Sequence, residues 1–179
     1  IIPTYNEASC IEKRLNNIYE QDYPKNKIEI IVIDSASNDG TPEIVKKWTK
    51  NHKDINLKLI QEPARRGKAY ALNNALKHAT SEIIIIADAD ADWEENSLSE
   101  VVKWMADPTV GAVSCLKKPK NQRPLSVEES YRQYYNVLRL AESKKYATPI
   151  FHGELAAFRK ELLEQIGGFP THIGADDSH

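Results

Sequence analysis

The chain has 179 residues, a formal net charge of −2 and a sequence pI of about 6.3. This length fits one domain with a sizeable core, and the balanced charge gives no indication of a nucleic-acid partner. No apolar stretch approaches the roughly 18 residues that a membrane-spanning helix requires. The two cysteines, Cys10 and Cys115, form no spaced cluster, which predicts reduced thiols and a cytoplasmic setting.

Strand-like and helix-like segments alternate from the first residue onward. The predicted strands cover residues 1–2, 28–33, 56–61, 83–86 and 110–116, with Pro3 closing the first of them. The predicted helices cover residues 8–20, a segment that starts at Pro42 with Thr41 as its N-cap, residues 69–78 and residues 95–105. This alternation is typical of an α/β domain with a mostly parallel central sheet and helices on both faces.

The pattern changes after residue 116. A basic, proline-containing loop is predicted over residues 117–124, and an amphipathic helix over residues 126–145. A strand over residues 151–158 and a helix over residues 160–165 follow, and two glycines end that helix. We therefore expect one domain over residues 1–179, in which residues 1–116 bind a ligand and residues 117–179 complete the site.

The most informative feature is a run of four isoleucines at residues 83–86 that leads into Asp88 and Asp90. The run is typical of a central strand covered on both faces, so the two carboxylates follow its carboxyl end, where ligands bind in α/β sheets. Two neighbouring carboxylates repel each other unless a cation or hydrogen-bond donors offset their charge. Oxygen ligands suit Mg²⁺ or Mn²⁺, and Mg²⁺ commonly shares its coordination sphere with phosphates. The sequence thus predicts a metal–diphosphate site.

A solvated acidic loop before a helix is the alternative interpretation of these residues, because acidic side chains favour helix amino termini. That interpretation suits Asp92 well, and it suits Asp88 poorly, since Asp88 follows a buried strand. Asp92 remains a candidate as an additional metal ligand.

Three further segments each have one functional and one purely structural interpretation. Asp34 ends the second predicted strand and either accepts hydrogen bonds from a ribose or base, or forms a turn. The basic turn at residues 65–68 precedes a helix and either contacts phosphate or is solvated. Asp176 and Asp177 either supply a general base or belong to a polar chain end.

Taken together, these segments resemble the family 2 glycosyltransferases, which have the GT-A fold, a Rossmann-like nucleotide-diphospho-sugar transferase domain. Six motifs appear in the family's order, and Asp-Ala-Asp at residues 88–90 matches its Asp-X-Asp motif. The usual Asp-Gly-Ser or Asp-Asp-Ser is replaced by Asp-Ser-Ala-Ser at residues 34–37. The other matching segments are residues 2–7, 66–73, 153–160 and 166–169, together with Asp176 and Asp177.

The resemblance implies a role for each segment, with residues 1–116 as the nucleotide-sugar-binding half and residues 117–179 as the acceptor-side part. The residues implied for the nucleotide sugar are Pro3, Thr4, Tyr5, Asn6, Glu7, Asp34, Arg66, Gly67, Lys68 and Asp88. Asp90, with Asp88 and the additional candidate Asp92, would bind Mn²⁺ or Mg²⁺, and Asp177 beside Asp176 would be the catalytic base. The family transfers sugars from nucleotide-diphosphate donors, here UDP- or GDP-linked, to a glycan, polysaccharide or lipid-carrier hydroxyl with inversion.

Other classes remain as alternatives. A nucleotidyltransferase would share the sheet and the aspartate pair, but a glycine-rich phosphate loop is expected after its first strand, where this chain has Pro-Thr-Tyr-Asn-Glu. A non-catalytic nucleotide-sugar-binding module would keep the fold, and a dehydrogenase would need a G-x-G-x-x-G motif. We expect the chain to be truncated at both ends, with a parent protein attached to the cytoplasmic face of a membrane through a missing carboxyl-terminal region.

Overall fold

The structure, a computed structural model, describes residues 1–116 and 153–171, together with the helical positions 136, 137, 141 and 144. The strands of these parts are β1 (Ile2–Thr4), β2 (Glu29–Asp34), β3 (Asn56–Gln61), β4 (Ile83–Ile86), β5 (Ala112–Ser114) and β6 (Ala156–Arg159). The α-helices are α1 (Ile11–Tyr19), α2 (Thr41–Asn51), α3 (Lys68–Leu76), α4 (Ser97–Met105) and α5 (Lys160–Gln165), and Lys25–Lys27 form a 3-10 turn.

The strands form a mostly parallel sheet. Strands β1, β2 and β3 are adjacent and parallel, whereas β6 lies between β4 and β5 and is antiparallel to both. Two bonds join the two halves: the amino group of Ile1 donates to the carbonyl of Ile85 at 2.7 Å, and the Ala87 N–H donates to the carbonyl of Ile1 at 3.0 Å. This is the parallel pattern, so the order is β3-β2-β1-β4-β6-β5. The predicted fold class is confirmed.

Helices cover both faces of the sheet because the central strand β2 is apolar on both sides. Ile30 and Val32 pack against α1 and α2, and the alternate residues Ile31 and Ile33 pack against α3 and α5. Full burial of each such side chain contributes about 1.5–3 kcal/mol. The main helical partners are Ile11, Leu15, Val45 and Trp48 on the first face, and Ala71, Ala75 and Leu163 on the second.

Two boundary predictions are wrong for local reasons. Strand β1 continues through Pro3 to Thr4. Proline has no N–H to donate to β4, but β4 ends at Ile86, so no hydrogen bond from Pro3 to β4 is needed. The N-cap of α2 is Gly40, with φ of 94°, and not Thr41. Thr41 is the first helical residue, since Asp39 accepts hydrogen bonds from both its N–H and its hydroxyl.

Strands β3 and β4 have the predicted bounds, and most of the other elements match in position and differ in extent. Strand β5 is shorter than the predicted 110–116, and β6 lies at the end of the predicted segment 151–158. Helix α5 has the predicted bounds. The loop at 117–124, most of the predicted helix at 126–145, and Asp176 and Asp177 lie outside the described residues. In the described parts, no helix is both long and apolar enough to cross a membrane.

The turn after α5 allows a direct test of this packing. Gly167 and Gly168 have φ of 84° and 85°, but a Cβ on Gly167 would meet open space, whereas one on Gly168 would strike the Oδ1 of Asn73. The Asn73 side chain bonds both the carbonyl and the N–H of Phe169, at 2.8 and 2.7 Å. Gly167→Ala should cost roughly 1–2 kcal/mol of unfolding free energy, and Gly168→Ala about 1–3 kcal/mol more. Equal losses in urea unfolding would contradict the Asn73 contact.

Candidate functional site

The candidate site lies at the carboxyl ends of β1, β2 and β4. Because β1 lies between β2 and β4, it marks the position where the strand order reverses, and ligands bind outside such switch points. Thr4 ends β1, Asp34 ends β2, and Asp88 is the second residue after β4. Two strand spacings, roughly 10 Å, separate the ends of β2 and β4. The sheet therefore brings together the predicted site residues of three separate segments.

Hydrogen bonds connect the loop after β1 to the loop after β2. The N–H of Asn6 donates to the Ser37 hydroxyl at 2.8 Å, and the Asn6 side-chain oxygen accepts from the N–H of Asn38 at 3.0 Å. The N–H of Glu7 donates to the Thr41 hydroxyl at 2.9 Å. The predicted segment from Pro3 to Glu7 is thus held beside the Asp34 turn.

Asp34 is fully buried and organises this turn. Its carboxylate accepts from the Thr4 hydroxyl at 3.1 Å, from the Ser37 hydroxyl at 2.5 Å and from the Ser37 N–H at 3.0 Å. Asp34 therefore does form a turn, and its binding to a ribose or base stays a prediction. A carboxylate offers about four lone-pair sites, and this turn occupies three of those of Asp34.

Two strained residues accompany these loops. Asn6 and Ala36 have φ of 58° and 61°, and they are the non-glycine residues of the described parts with positive φ. Such conformations cost of order 1–3 kcal/mol each and cluster at functional sites. The strain is confined to the two loops that border the site.

Asp88 forms the centre of the second half of the site. It is half-buried, its carboxylate lies 2.5 Å from the Lys68 ammonium, and its N–H donates to the carbonyl of Gly153 at 3.0 Å. A Cβ on Gly153 would lie 2.5 Å from the Lys68 Nζ and 2.6 Å from an oxygen of Asp88. Gly153 is thus the residue that lets β6 approach this ion pair, a role that the motif alone did not indicate.

The acidic loop, residues 88–92, can hold a cation only together with other ligands. Asp90 is exposed, and Asp92 pairs with Lys13 at 2.8 Å. Within the described residues, no three acidic, histidine or cysteine side chains converge as a metal-binding group. One open carboxylate beside Asp88 fits a Mg²⁺ or Mn²⁺ ion that completes its sphere with diphosphate oxygens and water. Metal binding by Asp88, Asp90 and Asp92 stays a prediction.

The sequence did not single out the polar residues of α1 that bind the backbone of residues 91–94, in and after the acidic loop. Arg14, Asn17 and Gln21, here called the α1 stripe, line one side of α1 and continue just beyond its end. The Asn17 side chain donates to the carbonyl of Trp93 at 2.8 Å and accepts from its N–H at 2.9 Å. Gln21 donates to the carbonyl of Glu94 at 2.9 Å. The members of the α1 stripe are three, four and seven residues apart, and this helical spacing of polar residues is the sequence signal that could have identified them.

Arg14 is the most buried member of the α1 stripe, with 1% of its surface exposed. Its Nη1 donates to the Asn17 side chain at 2.7 Å and to the carbonyl of Ala91 at 3.3 Å. Its guanidinium lies 3.9 Å from the centre of the Trp93 ring. Burial lowers the pKa of Arg14 to about 10, against the opposing effect of the three carboxylates of the acidic loop, so it stays charged at neutral pH.

Glu62 is a second residue that the sequence did not single out. It follows β3, is buried, and donates its N–H to the carbonyl of Asp34 at 2.8 Å. Its carboxylate accepts from the Ser35 hydroxyl at 3.0 Å and from the Asn74 amide at 3.1 Å. Arg66 approaches the same carboxylate at 3.6 Å. Glu62 therefore ties the Asp34 turn to α3 and to the basic turn.

The basic turn lies at the rim of the site. Gly67 has φ of 99°, which favours glycine, and α3 begins at Lys68. The exposed Arg65 lies 4.3 Å from the centre of the Tyr5 ring. Of the predicted phosphate contacts, Lys68 is thus placed beside Asp88 and Arg66 beside Glu62, and their binding to phosphate stays a prediction.

Neither Cys10 nor Cys115 forms a disulfide. Burial and the neighbouring Glu7 carboxylate raise the pKa of Cys10 to about 12, so its thiol is neutral at physiological pH. A cavity of about 300 Å³ lies around the starts of β2 and β4, extends to Ala87 and Trp93, and is lined by more isoleucines than any other residue type. Among the described residues that line it are neither Asp34 nor the carboxylates of the acidic loop, so it does not belong to the candidate site.

Comparison with known proteins decides the family. The sequence model named Glycosyl transferase family 2 matches residues 1–167. The chain belongs to glycosyl transferase family 2. Membership in this family confirms the resemblance carried by the six motifs, and it agrees with the switch-point position of the aspartates.

Two solved structures share the fold of this chain. A mannosyltransferase, PcManGT from Pyrobaculum calidifontis, in complex with GDP-Man and Mn²⁺, is 61% identical over 99% of this chain and 48% of its own, with a TM-score of 0.88. The S. aureus TarS 1–349 structure in complex with UDP is 25% identical over 98% of this chain and 50% of its own, with a TM-score of 0.73.

Two curated relatives match along essentially the whole chain. Glycosyltransferase AglE from Haloferax volcanii is 29% identical over 100% of this chain and 58% of its own length. Poly-beta-1,6-N-acetyl-D-glucosamine synthase from Staphylococcus epidermidis is 26% identical over 99% of this chain and 43% of its own length. The chain thus spans about half the length of the relatives it matches.

Proposed function

We propose that the protein is an inverting, metal-dependent glycosyltransferase that moves a sugar from a nucleotide-diphosphate donor to a hydroxyl of a glycan, polysaccharide or lipid carrier. The observation that carries this proposal is the position of Asp88 and Asp90. Both follow the end of β4 at the switch point of the sheet, where Asp88 pairs with Lys68 and the turn of Asp34 follows β2. That edge is where an α/β sheet binds ligands.

A GDP-linked donor, with mannose as the first sugar to test, has the strongest support. The PcManGT structure holds GDP-Man and Mn²⁺ and is 61% identical over 99% of this chain. TarS, with 25% identity, holds UDP, so UDP serves as the competing nucleotide in any test.

Each half of the site has its own part in donor binding. Asp34 and the segment from Pro3 to Glu7 hold the base and ribose, with the Asp34 carboxylate as a hydrogen-bond acceptor. Asp88 contacts the sugar, and Asp90 holds the metal with the diphosphate. Lys68 places a positive charge beside the same phosphates.

The chemistry follows from these placements. Asp177, which lies outside the described residues, takes the proton from the acceptor hydroxyl. The hydroxyl oxygen forms a bond to the anomeric carbon while the bond from that carbon to the diphosphate oxygen breaks, and the single displacement inverts the centre. Asp90 would hold Mn²⁺ or Mg²⁺, which supplies positive charge against the growing charge of the leaving diphosphate. Lys68 adds to that effect.

Calorimetric titration of the chain with GDP and with UDP, each with and without Mn²⁺, tests the proposal. We expect GDP to bind more tightly with Mn²⁺ than without it, and more tightly than UDP does. No binding of either nucleotide under any condition would contradict the donor site. Release of pyrophosphate from a sugar phosphate and a nucleoside triphosphate would favour a nucleotidyltransferase instead.

The activity of the whole protein is part of this proposal, since the chain spans about half the length of its relatives. Attachment of the parent protein to the cytoplasmic face of a membrane also stays a prediction. Cell fractionation of the full-length protein tests it, and recovery of all the protein in the soluble fraction would contradict it.

A further inference from the structure

A buried cation lies directly behind the acidic loop. Arg14 extends from α1 with 1% of its surface exposed, and its contacts are the Ala91 carbonyl, the Asn17 side chain and the Trp93 ring. Within the described parts of the chain, its Nε and Nη2 nitrogens have no hydrogen-bond acceptor. Burying a guanidinium with two unpaired nitrogens is costly, and other favourable interactions must offset that cost.

The charges around the acidic loop offset the cost of burying the Arg14 guanidinium. Three carboxylates, Asp88, Asp90 and Asp92, follow one another at every second residue. Lys68 pairs with the first at 2.5 Å and Lys13 pairs with the last at 2.8 Å, both from partly exposed positions. All three carboxylates act electrostatically on Arg14, which forms no ion pair with any of them within the described residues. The charge of Arg14 thus attracts all three carboxylates from the buried side of the acidic loop.

We infer that Arg14 is a positioning residue of the donor site: it holds the backbone of the acidic loop so that the Asp90 carboxylate faces the ligand side. The inference rests on the proposed function, because it assigns a task to the loop that would hold the metal and diphosphate. Arg14 itself touches neither, since it is buried beneath Ala91 and Trp93.

Two effects give Arg14 this role. Its charge offsets the repulsion among three closely spaced carboxylates, which otherwise favours a more open loop. Its hydrogen bond to Ala91 and its stacking on Trp93 fix the backbone on the carboxyl side of Asp90. Trp93 in turn donates its indole N–H to the carbonyl of Glu154 at 2.7 Å, next to Gly153. The loop is therefore held at its base by α1 and at its side by the segment before β6.

The test uses Arg14→Met, which keeps an unbranched apolar side chain and removes the charge. The substitution leaves the Ala91 carbonyl and the Asn17 side chain without this donor, so the variant should unfold at a lower temperature than the wild type, and its binding is measured well below that temperature. Its affinity for GDP in the presence of Mn²⁺ should fall by about 10- to 100-fold, the usual effect of removing a group that orients metal ligands. Its affinity for GDP without metal should not change, because the Asp34 loops are intact.

Two further variants complete the experiment. Arg14→Lys keeps the charge without the planar guanidinium, so its Mn²⁺-dependent affinity should lie between those of wild type and Arg14→Met. Asn16→Ala is the matched control, since it removes a hydrogen bond of α1 to Trp48 (2.7 Å) on the side of α2 and should keep the wild-type Mn²⁺ dependence. The electron paramagnetic resonance signal of free Mn²⁺, recorded with GDP present, measures bound metal independently of the calorimetry.

The outcomes separate this inference from the proposed function. Wild-type protein without Mn²⁺-dependent GDP binding would overturn the proposed function. Wild-type protein with such binding and an Arg14→Met variant with the same Mn²⁺ dependence would overturn the role of Arg14 alone. An equal loss of GDP affinity with and without Mn²⁺ would also overturn it. If Arg14→Met does not fold, Arg14→Lys decides, and full wild-type Mn²⁺ dependence together with wild-type stability in that variant would contradict the inference.

Discussion

Substituting Asp90→Asn is expected to abolish the metal-dependent part of donor binding. Asp90 is exposed and forms no ion pair within the described residues, whereas Asp88 and Asp92 are paired with Lys68 and Lys13. Asparagine keeps the shape of the side chain and removes the negative charge that a hard cation prefers. We expect GDP affinity with Mn²⁺ to fall by roughly 100-fold or more, since losing groups that merely orient metal ligands already costs about 10- to 100-fold. Calorimetry with and without Mn²⁺ measures the change.

Asp54→Asn provides the matched control for Asp90→Asn. Asp54 lies before β3, at the edge of the sheet opposite the site, and accepts a hydrogen bond from the Tyr19 hydroxyl at 2.9 Å. Its substitution removes the same charge and should not change the Mn²⁺ dependence. If Asp90→Asn binds GDP and Mn²⁺ as the wild type does, the assignment of Asp90 to the metal is wrong.

Gly153→Ala is expected to disrupt the site with a single methyl group. The added Cβ would lie 2.5 Å from the Lys68 Nζ and 2.6 and 2.8 Å from the two oxygens of Asp88, distances that require the ion pair to move. Overpacking of this kind costs about 1–3 kcal/mol of unfolding free energy. Because the Asp88 N–H also bonds the Gly153 carbonyl, we expect a loss of donor affinity together with the loss of stability. Thermal unfolding and GDP titration measure the two effects.

Gly111→Ala is the corresponding control. A Cβ there would lie 3.0 Å from the Cδ1 of Leu162, the end of a flexible side chain that is 41% exposed and free to move aside. This variant should bind GDP and Mn²⁺ like the wild type. If Gly153→Ala behaves in the same way, the close packing of β6 against the Lys68–Asp88 pair is not required for binding.

The fold was predictable where the sequence carries a regular signal. The apolar segments of β2, β3 and β4 and the helical spacing of α1, α2 and α4 gave the correct element types, and α5 has the predicted bounds. The predicted boundaries were wrong where a neighbouring segment determines the end of an element. Pro3 belongs to β1 because of where β4 ends, and Asp39 rather than a helix residue sets the start of α2.

The candidate site was predictable where chemistry follows a strand directly in sequence. Asp34 and Asp88 were found because each comes at or just after the end of an apolar strand. Glu62, Arg14 and Gly153 were not singled out, since their roles depend on contacts that only the assembled sheet creates. Long-range packing, and not local pattern, gives these residues their function.

The central claim is that a metal and a nucleotide diphosphate bind together at the carboxyl ends of β1, β2 and β4. Nuclear magnetic resonance of the ¹⁵N-labelled chain with GDP and Mn²⁺, compared with GDP and Mg²⁺, tests it most directly, because Mn²⁺ broadens the signals of nearby amides. We predict the strongest broadening at Ala91 and Gly153, with Asn56 at the start of β3 and the turn Lys25–Lys27 least affected. Broadening centred on those distant residues, or none that requires GDP, would contradict the account.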